Sequence, residues 1–225
     1  MSSKDQILKL FPQPIFKYQM DDFKKINEEL LKYIYTLHKL DNDGVKKSNI
    51  NGWHSRPFDF AEDNGIPNKF YSQIRKYLKD VFIKFGWEYN EKKIKCTSMW
   101  AIINKKGNFN IEHIHPNNYL SAAYYVKAPD NCGAFKASNP NILTRNFYPK
   151  SSHGTELNSN FYSAGLIDQI IHLATQKNLK SGVPGLLYDA TTATALAFPR
   201  DTDYIKVQSC ELAGDHLSIW QRDSK

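Results

Sequence analysis

His113 and His115 stand one residue apart in the stretch Ile111-Glu-His-Ile-His-Pro116. On an extended strand, residues i and i+2 point to the same face, with Cα atoms roughly 6.5–7 Å apart. Two imidazoles at that spacing can converge on one metal ion. Pro116 and two asparagines follow, and then the apolar run Leu120–Val126. The other candidate side chains read differently. His54 lies in a loop rich in Asn, Asp and Gly and fits a structural or surface role. His153, in Ser-Ser-His-Gly, reads as loop surface, and His172 as a helix-face residue. Cys96, Cys132 and Cys210 form no CxxC pair and no zinc-like spacing, which leaves them as reduced thiols.

The elements that must position the histidine pair follow from periodicity and punctuation. Pro12 and Pro14 make residues 7–19 an extended outer segment rather than a helix. Residues 21–39 carry Phe23, Ile26, Leu30, Leu31 and Ile34 near helical spacing, with Asp21 or Asp22 as cap. After the loop 42–65, a second amphipathic helix is predicted over 68–86, with Phe70, Ile74, Tyr77, Leu78, Val81 and Phe82 on one side. From residue 93 the pattern turns to strands: Ile94–Asn104, a turn over 105–108, then 109–115, Leu120–Val126 and Gly133–Ala137. The stretch 139–184 reads as long and irregular, with a short helix over 166–174; connections of that length are often binding loops or lids. Closing strands are predicted at 186–188, 194–198, 204–207 and 217–220. Helices followed by strands imply an α+β, mainly β protein with its helices packed on one sheet.

The 225 residues suit a single domain, 1–225, with a helical N-terminal part about 21–86 and an inserted segment about 141–184. No stretch approaches 18 apolar residues, and the opening Met-Ser-Ser-Lys-Asp-Gln has no apolar signal core, so the expectation is no membrane association and a cytoplasmic location. The net charge of +7 is spread over short lysine patches that read as solvated faces, and no nucleic-acid motif accompanies them.

Taken in order, the pieces resemble the Fe(II)/2-oxoglutarate-dependent oxygenases of the double-stranded β-helix superfamily, and within it an oxygenase family common in bacteria and marine phages. The matching pieces are Leu10-Phe-Pro-Gln-Pro-Ile15, Asn51-Gly-Trp-His-Ser55, Met99-Trp-Ala with Gly107, and His113-Ile-His-Pro116. They continue with Leu120-Ser-Ala-Ala-Tyr-Tyr-Val126, Pro129, Gly133, Asn139-Pro140, Phe198-Pro199 and Leu217-Ser-Ile219. The resemblance implies a jelly-roll barrel with Fe(II) and 2-oxoglutarate in its mouth and a substrate oxidised by O₂.

By resemblance, His113 and His115 fall at the paired ligand motif, with His115 where a carboxylate is usual. Tyr125 falls where related enzymes set a tyrosine against the cosubstrate. Two positions depart from the pattern. Tyr204 stands where the distal histidine ligand is expected, with Asp201 and Asp203 as nearby alternatives. His216 stands where an arginine would grip the far carboxylate of 2-oxoglutarate, followed as usual by Ser218. Arg200 or Arg222 could substitute for that arginine. The implied metal set is therefore His113, His115 and Tyr204, and the implied cosubstrate set Tyr125, His216 and Ser218. The altered positions favour a noncatalytic binding or assembly protein, such as a phage virion component, acting as a homo-oligomer or with protein partners. The alternative is an active dioxygenase with altered ligands, binding 2-oxoglutarate. In either case His113 and His115 mark the barrel mouth.

Overall fold

The computed structural model describes residues 13–115, 118–130, 132–138, 161–165, 170–175 and 204–213. Strand β1 (Ile15–Gln19) leads into helix α1 (Phe23–Leu40). Ile26, Leu30 and Ile34 of α1 are buried, the single stripe that a 3.6-residue period requires. Asp22 occupies the N-cap position, but in the left-handed region at φ 49° and with no side-chain capping bond. Asp21 instead accepts from Lys76 Nζ at 3.0 Å, tying the helix start to the next helix.

Helix α2 (Ile66–Lys84) has Pro67 in its first turn, where a missing N–H costs nothing. All six apolar residues expected on its inner side are buried. Gly86, at φ 66°, carries the chain out of the helix in the left-handed conformation that side chains resist. Between the helices lie the short strands β2 (Asn49–Ile50) and β3 (Trp53–His54), within the stretch expected to be loop.

The remaining strands are β4 (Ile94–Asn104), β5 (Phe109–Asn110), β6 (Leu120–Lys127), β7 (Ala134–Ser138), β8 (Phe161–Gly165), β9 (Ile170–Thr175) and β10 (Tyr204–Ala213). Six of the strands form an antiparallel sheet in the order β1-β9-β6-β10-β4-β3, and the pairs β2-β5 and β7-β8 stand apart from it. Alternation along β4 sends Met99, Ala101 and Ile103 into the core under the helices, and Trp100 and Ile102 to the opposite face. Leu120, Ala122, Tyr124 and Val126 of β6 likewise meet the helices. Ala123 and Tyr125 cluster instead with Cys132, Phe135 and Ala137, so β7 covers the sheet's second face. This explains why β6 is buried continuously from Leu120 to Val126: it is a central strand with both faces covered.

One buried polar residue joins the layers. Asn27 on α1 donates to the Val126 carbonyl at 3.0 Å and accepts from the Tyr124 hydroxyl at 2.5 Å.

Three expectations are corrected. Residues 170–175 are strand β9, not part of a helix, and His172 sits opposite Lys17 of β1 and Ala123 of β6. A nine-residue helix has little stability of its own, whereas here each backbone edge pairs with a neighbouring strand. With β8, this places two strands inside the segment expected to be an irregular insertion. The strand predicted over 109–115 stops at Asn110, and beyond it only His113 forms an isolated bridge. The last described strand is longer than predicted, reaching Ala213. The expected strands at 186–188, 194–198 and 217–220 lie outside the described residues, as do residues 7–12 and His153. Among the described residues no helix is long and apolar enough to cross a membrane.

Candidate metal and cosubstrate site

β3 lies along β4 with His54 opposite Ile102. His54 is buried, and its Nδ1 lies 2.6 Å from the Ser55 carbonyl. A carbonyl oxygen only accepts, so Nδ1 carries the proton. The imidazole stacks on Trp100, with ring centroids 5.7 Å apart and planes 10° apart. Trp100 in turn meets His115 at 5.2 Å, and His115 meets His113 edge-on at 4.9 Å and 82°. His113 Nδ1 lies 2.7 Å from the Ile111 carbonyl. By the same argument Nδ1 carries the proton there. His54, Trp100, His115 and His113 thus form one row of four rings, each end pinned to a backbone carbonyl.

The two histidines are brought together as the sequence predicts, although the backbone around them is not regular strand. Their arrangement fits a transition-metal ligand pair: two imidazoles close together, one with its tautomer set by a backbone carbonyl.

Register places the other candidates. Gln208 pairs with Trp100 on one side and Ala123 on the other, so Trp100, Ala123 and Tyr125 share the sheet face away from the helices. Tyr125 is fully buried on that face. Tyr204 stands opposite Asn104, at the first position of β10. His216, Ser218, Asp201, Asp203, Arg200 and Arg222 lie outside the described residues. Among the described residues no group of three or more His, Cys, Asp or Glu side chains could hold a metal ion.

The same face carries polar atoms without a hydrogen-bond partner among the described residues: Trp100 Nε1, Ser121 Oγ and Asn104 Oδ1. Asn104 does donate through Nδ2 to Asn110 Oδ1 at 3.2 Å, and Asn110 donates to Ser48 Oγ at 3.1 Å. These bonds join the end of β4 to the β2–β5 pair.

Sequence reasoning passed over two residues of the row. His54 was read as loop because β3 is only two residues long. Trp100 belongs to a predicted strand and to a matching piece of the resemblance, with no site role assigned to it. The alternation of Trp100, Ile102 and Asn104 against Met99, Ala101 and Ile103 was the available signal.

Residues 98–165 match the family "Putative 2OG-Fe(II) oxygenase". No curated protein matches the sequence. Solved structures match the fold. A prolyl-4-hydroxylase from Pseudomonas putida superposes with a TM-score of 0.57 at 6% identity, covering 89% of this chain and 93% of its own. HygX from Streptomyces hygroscopicus, with nickel, 2-oxoglutarate and hygromycin B bound, gives 0.55 at 9% identity over 90% and 84%. The viral collagen prolyl hydroxylase from Paramecium Bursaria Chlorella virus-1, in its 2-oxoglutarate complex, gives 0.52 at 15% identity over 87% and 95%. The segment that carries the histidine pair thus matches the family described as putative 2OG-Fe(II) oxygenase, and the fold of the chain is similar to that of these hydroxylases and HygX.

Proposed function

We propose that this protein binds Fe(II) and 2-oxoglutarate and acts as a dioxygenase on a substrate that its sequence leaves unnamed. The observation that carries this reading is the pair His113 and His115, adjacent at 4.9 Å, with the His113 tautomer set by the Ile111 carbonyl. The family match over residues 98–165 spans this pair and supports it. The strands are read as a double-stranded β-helix forming one domain, with the pair at its mouth.

His113 and His115 would hold the iron, with Tyr204 or a neighbouring carboxylate as third ligand. Iron with 2-oxoglutarate and O₂ supplies the oxidising chemistry when bound. The chain's own residues bind and orient. The Tyr125 hydroxyl, on the buried face, would meet the cosubstrate. Ser218 and His216 would hold its far carboxylate in place of an arginine fork. Layers on both sides of β6 keep water from that face.

Anaerobic Fe(II) titration by calorimetry, followed by an assay of 2-oxoglutarate decarboxylation, tests the reading. Uptake of one iron per chain is expected, with binding lost in His113→Ala. A wild-type protein that takes up no iron would end it.

A second reading is a noncatalytic assembly protein, such as a virion component. It is favoured by the sequence, which has Tyr204 and His216 where the resemblance implies a distal histidine ligand and an arginine anchor. It expects a stable oligomer or partner complex without turnover. Sedimentation showing a monomer that also turns over 2-oxoglutarate would exclude it.

A further inference from the structure

His115 has no regular strand to orient it. A ligand ring in such a segment must be oriented by what its side chain touches, and a metal site tolerates little looseness. Two ring contacts are present: the His113 edge and Trp100. Trp100 stands in a regular strand, where His115 does not. Its backbone lies within the eleven residues of β4, in register with Gln208 of β10. On its other side it stacks on His54, a buried ring fixed by strand pairing and by the Ser55 carbonyl.

We propose that Trp100, backed by His54, is a positioning residue for the metal pair: it carries the rigidity of the β3–β4 strands to His115. The inference rests on the metal-binding reading above and goes beyond it by assigning roles to Trp100 and His54. The indole works through its face. Its Nε1 has no hydrogen-bond partner among the described residues, so replacing it with phenylalanine removes no hydrogen bond among them.

The test has two arms. In the metal-free protein, imidazole ¹⁵N–¹H correlation spectra report the tautomer and ring environment of His115 and His113. Trp100→Leu should move the His115 signals and average them, Trp100→Phe should leave them near wild type, and the His54→Gln variant should produce a smaller shift in the same direction. In the second arm, Ni(II) is titrated as a redox-inert probe. Trp100→Leu should weaken binding about 10-fold or more, the usual scale for groups that orient ligands, and Trp100→Phe should restore most of it. If Trp100→Leu does not fold, His54→Gln and Trp100→Phe carry the comparison alone. Unmoved His115 signals in both Trp100→Leu and His54→Gln overturn the proposal. So does equal loss in Trp100→Phe and Trp100→Leu with the fold intact. A wild-type protein that binds no Ni(II) or Fe(II) defeats the oxygenase reading, and the ring-positioning role is then decided by the first arm.

Discussion

Asn27 is a polar side chain in a helix stripe that otherwise buries isoleucine and leucine. Its two hydrogen bonds explain why it is tolerated there: it donates to the Val126 carbonyl and accepts from the Tyr124 hydroxyl. Asn27→Ala would remove both of these buried bonds. A loss of roughly 2–4 kcal/mol is expected, read as a lowered urea midpoint at unchanged slope. Tyr124→Phe removes the bond to Asn27 while leaving the Val126 bond in place, and should cost less, roughly 1 kcal/mol. The tyrosines also respond to pH in a defined direction. Burial first, and then hydrogen bonding to Asp80, hold the Tyr18 phenol far above its ordinary value, and burial raises Tyr33 and Tyr119 as well. A raised phenol stabilises the fold below the unfolded value of about 10, and that stability is lost as pH rises beyond it.

At the scale of elements, β2–β5 and β4 are held in contact by close approach as well as by hydrogen bonds. A Cβ placed on Gly52 would collide with the Asn104 carboxamide. Gly52→Ala should push Asn104 away from Asn110 and cost about 1–3 kcal/mol by thermal or urea unfolding. The same scale shows what the sequence made legible. The helices were readable because each has a long stripe of period 3.6, and β4 because eleven residues hold one pattern. β3 was not readable, since two residues carry no period. β9 was misread because Ile170-Ile-His-Leu-Ala174 suits a buried strand and a short helix equally; its pairing with β1 and β6 decides the matter, and that is tertiary information. Of the site, the spacing of His113 and His115 was legible. The ring row that joins them to His54 was not, because it spans sixty residues of sequence and depends on strand alignment.

Over the whole molecule, the helices cover one face of the main sheet and the histidine pair lies toward the other. The polar groove between α1 and α2, lined by Asp22, Lys25, Glu29, Asp63, Asn68 and Lys69, therefore belongs to the side away from the ring row. Glu29→Ala with Lys69→Ala, which removes a 3.8 Å ion pair from that groove, should leave metal affinity within about 2-fold and stability within about 0.5 kcal/mol, measured by calorimetry and unfolding. The order of strands has a consequence for how the chain is made. β10 lies between β4 and β6, yet it emerges from the ribosome long after both. At ~5–20 residues per second, the interval between β6 and β10 lasts about 4–15 s. Until then two hydrophobic strands each lack the neighbour that will separate them, and an exposed strand edge invites pairing with another chain. The nascent protein therefore depends during that interval on chaperones or on the early packing of α1 and α2, and its yield in cells should respond to translation speed and temperature more than its final stability suggests.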